Sequence, residues 1–206
     1  MTKPTEHKTV QSRILQYAQD IGWTFVSRKD AEMRRNFDSS AGEPSEQARS
    51  ASLFFDDLLY QKIKSFNPLY NEAEGALAGR LRRLTADIYG NRDMLTFLRN
   101  SGKYFSAEEN RELDLMLIDY ADGGRKVSER RNIYEVTEEF YWHNGRHGNR
   151  EDIVFLINGI PLLFVETKAA SKVEGMSEAL EQVKRYHREC PELRSFLLFY
   201  RMTLFR

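Results

Sequence analysis

The pattern of hydrophobic and polar positions divides the 206-residue chain into a helical first half and a second half rich in strands. Near the amino terminus, four apolar residues recur at helical spacing: Val10, Ile14, Tyr17 and Ile21. This spacing predicts an amphipathic helix that ends near Gly22 and is followed by a short strand.

Residues 30–50 are polar, contain Gly and Pro and show no apolar period, so the sequence predicts a mobile loop there. Residues 51–104 return to helical spacing, which stops at Asn67-Pro68. The helical pattern then restarts through four apolar residues, Leu77, Leu81, Leu84 and Ile88. Gly102 is predicted to end the last helix of this segment.

From residue 105 to residue 200 the chain carries short runs of β-branched and aromatic residues separated by turns, as is typical of strands. The runs cover residues 113–120, 132–142, 152–158, 161–168 and 196–200. Before the last run, residues 177–190 place Ala179, Val183 and Tyr186 on one face of a predicted helix. The sequence therefore predicts a single α/β domain over residues 1–206, in which a meander of strands is followed by a helix that crosses over to a last strand.

Composition adds little to this picture but excludes several classes of protein. With 41% hydrophobic and 30% charged residues, the chain is typical of a soluble globular domain, and its pattern indicates neither a membrane span nor a signal peptide. The single cysteine, Cys190, fits a reducing cytoplasm. Equal numbers of basic and acidic residues, 31 each, argue against a protein that coats nucleic acid but allow a local basic groove.

Three ionisable residues near the ends of two predicted strands could hydrolyse a phosphodiester. Asp152 opens one strand, Glu166 closes the next, and Lys168 lies two residues later on the same face as Glu166. A hard cation such as Mg²⁺ takes carboxylate ligands, polarises a phosphate and acidifies water, and an ammonium group can orient that water. A match of this kind arises by chance in about half of chains this long, so a solvated strand edge explains the triad alone at least as well. However, Glu166 interrupts an otherwise apolar run, where a charge is costly without a partner or a metal.

Gln182 and Tyr186 follow on one face of the predicted helix, four residues apart. One interpretation is an exposed amide beside a half-buried ring. The other is a polar pair that overhangs the carboxylates and contacts a DNA phosphate.

Together these segments resemble the PD-(D/E)xK nucleases, and among them the amino-terminal domain of type I restriction enzyme R subunits. The resemblance is strong over residues 105–195 and rests on D-I-V-F-L-I-N-G-I-P-L-L-F-V-E-T-K followed by Q-V-K-R-Y. It implies a restriction-endonuclease-like central mixed sheet flanked by helices.

The resemblance also implies a role for each matching residue. Asp152 and Glu166 would hold Mg²⁺, which Mn²⁺ can replace, and the carbonyl of Thr167 is a plausible third protein ligand. Lys168 would be the third catalytic residue, with Gln182 and Tyr186 as an accessory pair. Glu6 is a candidate for a further acidic residue on the first helix, although the helix dipole alone favours an acid in a first turn.

Further expectations concern the assembly. The resemblance implies cleavage of double-stranded DNA beside methyltransferase and specificity subunits, with ATP acting only through motor domains. We find no G-x-x-x-x-G-K-[ST] nucleotide loop in this sequence, so we do not expect the chain itself to be the ATP-driven motor. The sequence is then expected to be a fragment, a frameshifted product or a short complete protein. Two alternatives are a free-standing nuclease of the same superfamily, in repair or phage defence, and an inactive docking module, which would have no need of an intact triad.

The turn between the two motif strands decides whether the carboxylates can meet. Asn158-Gly159 favours a two-residue hairpin, in which paired residue numbers sum to 317 and Asp152 and Glu166 point to opposite faces. A shared cation requires a sum of 318, hence a bulge or an odd-length loop near residues 158–161, or departure of Asp152 from strand geometry. Pro161 is tolerated at a bulge. We therefore predict an irregular turn, with the carboxylates within about 6 Å of each other.

Overall fold

A computed structural model describes residues 10–38, 51–168, 175–191 and 199–204. Within these residues the helices are α1 (Ser12–Asp20), α2 (Arg28–Arg34), α3 (Asp56–Phe66), α4 (Ala76–Arg82), α5 (Ile88–Leu98) and α6 (Gly175–Glu189). The strands are β1 (Thr24–Val26), β2 (Gly102–Ser106), β3 (Arg111–Leu115), β4 (Tyr134–His143), β5 (Gly148–Ile157), β6 (Ile160–Lys168) and β7 (Phe199–Leu204). Two 3₁₀ turns, Tyr120–Gly124 and Val127–Glu129, connect β3 to β4.

The main sheet has five strands in the order β1-β4-β5-β6-β7. The inner pairs β4–β5 and β5–β6 are antiparallel, and the outer pairs β1–β4 and β6–β7 are parallel. Because parallel neighbours need a crossover connection, α6 lies between β6 and β7. This arrangement confirms the predicted α/β fold with a central mixed sheet. No helix in the described part of the chain has both the length and the apolar character needed to cross a bilayer.

Strands β2 and β3 form a separate two-stranded antiparallel sheet. The prediction that residues 113–120 contribute a strand to the central meander is therefore wrong. Only the first three residues of that run, 113–115, are in a strand, and they pair with residues 102–104. The apolar residues that follow, Leu117 and Ile118, are buried because they cover the main core rather than extend the central sheet.

The two faces of the main sheet pack against different helices. One face carries the main core, which includes Phe54, Leu81, Phe140, Val154, Leu156 and Phe164. The other face packs on α1 through the α1 cluster, defined as Leu15, Ala18, Val136, Ile153 and Val165. Burying each of the Leu, Val and Ile side chains contributes about 1.5–3 kcal/mol. A shift of one residue in β5 or β6 would turn these side chains to the other face, so their burial fixes the register.

The predicted face of the first helix is wrong in part. Val10 is buried, but Tyr17 and Ile21 are 62% and 63% exposed. Leu15 and Ala18 face the sheet instead. Ile14 packs against the same cluster as predicted, whereas Tyr17 and Ile21 remain on the solvent side.

The loop predicted over residues 30–50 is wrong at its start, because α2 extends to Arg34. Ser27 caps this helix by accepting a hydrogen bond from the Asp30 amide at 3.2 Å. Arg34 joins the helix to β4 through an ion pair with Glu135 at 2.9 Å. Only Ala31 of the helix is buried, so the sequence has no apolar period there. Residues 39–50 lie outside the described residues.

The helical segment follows the predicted pattern until its end. Helix α3 stops at Phe66, just before Asn67-Pro68, as predicted. Ile88 is 76% exposed and begins a separate helix, contrary to the predicted continuous face. Gly102 does not end a helix: α5 stops at Leu98, and Gly102 lies in β2, where an added Cβ would fall 2.2 Å from the Phe97 ring.

Candidate active site

The turn that joins β5 to β6 is a regular two-residue turn, so the predicted irregular turn is wrong. Asn158 and Gly159 both have left-handed backbones, with φ of 54° and 80°, as a type I′ turn requires. The Asn158 side chain is buried, accepts a hydrogen bond from the Ile133 amide and donates one to the Leu117 carbonyl. These two bonds hold the tight turn in place.

The change of register that a shared cation requires occurs beyond the turn, inside β6. Leu156 pairs with Pro161, but Phe155 pairs with Leu163, which leaves Leu162 as an extra residue. From this bulge onward, paired residue numbers sum to 318, up to the pair Ile153–Val165. The predicted sum of 318 is thus reached through a bulge, which lies at Leu162 rather than within residues 158–161, and the next positions in register are Asp152 and Glu166.

Asp152 and Glu166 lie where the two strands separate. The β5–β6 ladder ends at Ile153 and Val165, after which β5 pairs with β4 and β6 pairs with β7. We call this divergence the fork. Val154 and Phe164 both lie in the main core, so strand alternation assigns positions 152 and 166 to that face as far as the two strands stay regular.

The Asp152 carboxylate bridges the fork. Its Oδ2 accepts a hydrogen bond from the backbone amide of Thr167 at 2.7 Å and another from the Thr167 hydroxyl at 2.8 Å. Asp152, Glu166 and Thr167 are all buried, with 9%, 1% and 0% of their surface exposed. The Thr167 amide donates to this carboxylate just beyond the last β5–β6 pair, which fixes the direction of one carboxylate at the site.

Helix α6 brings Gln182 and Tyr186 to the same region. The Gln182 amide nitrogen donates to Tyr186 Oη, and Tyr186 Oη donates to the Arg150 carbonyl at 3.1 Å. Burial raises the pKa of Tyr186 to about 12; the Gln182 hydrogen bond lowers it, and the negative charges of Glu166 and Glu151 raise it further. At neutral pH this phenol is therefore a protonated donor close to Glu166.

Of the remaining predicted site residues, Lys168 is described by its backbone alone and Glu6 not at all. Lys168 ends β6, and its backbone pairs with Leu204 of β7, but its side chain lies outside the described part of the structure. Glu6 also lies outside the described residues. Their proposed roles, and that of the Thr167 carbonyl, stay predictions.

The sequence reasoning missed two residues at the fork. The Thr167 hydroxyl was missed because a bond across two diverging strands depends on where their ladder ends. Glu151 was missed because two adjacent acidic residues are typical of a solvated strand end. In the structure the Glu151 side chain is 1% exposed and lies opposite Phe140. Directly opposed residues share a face, so Glu151 also lies on the main-core face.

The chemistry of the fork suits a hard cation. Asp152 and Glu166 are both buried, and two buried carboxylates that lie close together repel each other unless a cation or a proton lies between them. Carboxylate oxygens are what Mg²⁺ prefers. The separation of about 6 Å between these carboxylates stays a prediction. Among the described residues, no cluster of three or more His, Cys, Asp or Glu side chains is arranged to hold a metal. A cation at the fork would therefore rest on two carboxylates and take its other ligands from main-chain, water or substrate oxygens.

Comparisons with known proteins agree with the sequence pattern. A family model for the amino terminus of type I restriction enzyme R proteins matches residues 3–204. A protein of Methanocaldococcus jannaschii, provisionally named as the MjaVIIP endonuclease subunit of a type I restriction enzyme, is 32% identical over 83 residues, or 40% of this chain. A second, provisionally named as the MjaVIIIP endonuclease subunit, is 34% identical over 70 residues, or 34% of this chain. Each match spans 7% of the relative's length.

Proposed function

Because the chain belongs to the family of type I restriction enzyme R protein amino termini, we propose that it is the DNA-cleaving module of a restriction enzyme. The observation that supports this proposal is the register shift at Leu162, after which paired residue numbers of β5 and β6 sum to 318, the register that a cation shared by Asp152 and Glu166 requires. A sheet that kept the register of the turn would have separated them.

In this proposal Asp152 and Glu166 hold one Mg²⁺, or Mn²⁺ in its place. The bound ion would supply a polarised phosphate and a more acidic water. Thr167 keeps the Asp152 carboxylate aimed into the fork through its two hydrogen bonds. An oriented carboxylate binds a cation more tightly than one that must first be ordered.

The remaining residues act on the substrate. Tyr186, held neutral by its high pKa and oriented by Gln182, would donate to a phosphate oxygen or to the water beside it by turning its single hydroxyl proton away from the Arg150 carbonyl. Lys168 would orient the attacking water or neutralise the charge that develops on the phosphorane. Both roles need a water-poor site, and the burial of Glu166 and Thr167 supports this.

The substrate in this proposal is double-stranded DNA, cleaved in the cytoplasm. Methyltransferase and specificity subunits would supply sequence recognition, and motor domains would supply ATP-driven movement. The family match and the names of the relatives support this assignment.

The test separates cleavage from ATP hydrolysis in the complete enzyme. Asp152→Asn, Glu166→Gln and Lys168→Ala should each abolish plasmid cutting and leave the ATPase rate largely unchanged, because the fork is separate from any nucleotide site. Glu112→Gln, which changes an exposed acid in the separate β2–β3 sheet, is the control and should cut normally. Normal cutting by Asp152→Asn or Glu166→Gln would refute the proposed metal site.

A further inference from the structure

Glu139, in the middle of β4, has a left-handed backbone with φ of 53°. Within the described residues, four other non-glycine residues have positive φ, and all are asparagines: Asn36, Asn100, Asn110 and Asn158. Asparagine adopts this region far more readily than glutamate. The conformation of Glu139 is therefore imposed by its surroundings, and such residues concentrate at functional sites.

Strand β4 changes face at Glu139. Val136 packs in the α1 cluster, whereas Phe140 packs in the main core on the other side of the sheet. In a regular strand, residues four apart share a face. The left-handed residue between them produces the reversal.

Asp152 lies across from this reversal. The β4–β5 ladder pairs Glu138 with Ile153 and Phe140 with Glu151, and it omits the intervening pair, which would be Glu139 with Asp152. Because Glu151 lies opposite Phe140, the reversal also brings Glu151 to the face that Asp152 occupies. Asp152 thus belongs to the pair that the ladder omits, and its carboxylate accepts the hydrogen bonds from Thr167.

The side chain of Glu139 is anchored from two elements. Its Oε2 lies 3.0 Å from Nη1 of Arg150, on β5, and 4.0 Å from Nη1 of Arg28, on α2. The side chain is 23% exposed, so these ion pairs are partly screened by water. These ion pairs are part of the surroundings that hold Glu139 in place at the reversal.

We infer that the left-handed backbone at Glu139 is a positioning element for Asp152. The skipped pair frees Asp152 from the β4 ladder, so that its carboxylate can accept both hydrogen bonds from Thr167. The expected effect of this backbone conformation on cation binding rests on the proposed function, but its effect on the Asp152–Thr167 contact does not.

The test compares residues that tolerate a left-handed backbone with residues that do not. Glu139→Gly should keep the conformation, whereas the β-branched Glu139→Val should oppose it. In the metal-free 206-residue chain, amide hydrogen exchange measured by NMR should be at least tenfold faster at Thr167 in Glu139→Val and near the wild-type rate in Glu139→Gly. The dissociation constant for Mn²⁺ should rise at least tenfold in Glu139→Val alone.

Asn110 provides a matched control. It is also left-handed, with φ of 50°, but it lies between β2 and β3 in the separate sheet. Asn110→Val imposes the same backbone conflict far along the chain from the fork, and it should leave Thr167 exchange and Mn²⁺ affinity unchanged. If Glu139→Val does not fold, Glu139→Ala takes its place. Its Thr167 amide should exchange faster, and its Mn²⁺ dissociation constant should be higher, than in Glu139→Gly.

The outcomes are distinguishable. If the Thr167 amide of Glu139→Val exchanges at the wild-type rate, the inference is overturned. It is also overturned if Thr167 exchange rises equally in Glu139→Gly and Glu139→Gln, because the effect would then come from the lost carboxylate. If the wild-type chain binds no Mn²⁺, the proposed function fails, while the exchange comparison at Thr167 still decides the backbone inference.

Discussion

The Thr167 hydroxyl offers a sharp perturbation of the fork, because it can be removed with almost no change of shape. Thr167→Val deletes the 2.8 Å hydrogen bond to Asp152 and keeps the 2.7 Å bond from the backbone amide. The change affects one of two donors to a single carboxylate oxygen. It therefore tests orientation of Asp152 rather than its presence.

The expected magnitudes follow from the burial of these groups. Thr167 is fully buried, and a hydrogen bond to a charged group contributes about 1.5–3 kcal/mol. Because the backbone bond remains, we expect Thr167→Val to lower the free energy of unfolding by about 1–2 kcal/mol. Removing a group that orients a metal ligand typically weakens metal binding by about 10–100-fold, and we expect the Mn²⁺ dissociation constant to rise within that range.

Thr167→Ser is the matched control, since it keeps the hydroxyl and loses a buried methyl group. It should lower stability by about 1 kcal/mol through the small cavity that it leaves, with little change in Mn²⁺ affinity. Chemical denaturation measures stability, and Mn²⁺ titration followed by electron paramagnetic resonance measures affinity. The reasoning is refuted if Thr167→Val binds Mn²⁺ within twofold of wild type, or if Thr167→Ser loses affinity to the same extent.

Two further predictions concern the tyrosine and the turn. The pKa of Tyr186 is raised by burial to about 12, so the stability provided by its neutral phenol is fully present below pH 10 and is lost as the pH rises from 10 to about 12. Tyr186→Phe should therefore lose less thermal stability than wild type between pH 9 and pH 11.5, and an identical fall in Tm would contradict this. Gly159→Ala should lower the unfolding free energy by more than about 1 kcal/mol, because its φ is 80° and the added Cβ would lie 2.6 Å from the Phe55 carbonyl oxygen. Gly123→Ala, where nothing lies within 4 Å of an added Cβ, is its control, and equal stability of the two variants in urea denaturation would contradict the argument.

Local patterns in the sequence predicted much of the fold around the site. Alternation and the Asn158-Gly159 turn predict the β5–β6 hairpin, and the helical period predicts that α6 buries Ala179 and Tyr186. A cation shared by Asp152 and Glu166 requires paired residue numbers that sum to 318, and this requirement predicts a bulge near Pro161. In each case a short stretch of chain contains the whole signal.

Features that depend on distant contacts were not predictable in the same way. The position of the bulge at Leu162 follows from the tight turn, which the buried side chain of Asn158 holds through contacts with Ile133 and Leu117. The left-handed backbone of Glu139 has no local signal, because glutamate disfavours it. Helix α2 escaped prediction because it has a cap and an ion pair to β4 but almost no buried apolar residue.

Anomalous X-ray diffraction from crystals of the chain soaked in Mn²⁺ would show whether Asp152 and Glu166 share a cation. The account predicts one anomalous peak at the fork, with carboxylate oxygens of Asp152 and Glu166 both at about 2.0–2.6 Å from it, and loss of the peak in Glu166→Gln. Well-ordered Asp152 and Glu166 carboxylates with no peak between them would contradict the account. A peak that persists unchanged in Glu166→Gln would contradict it equally.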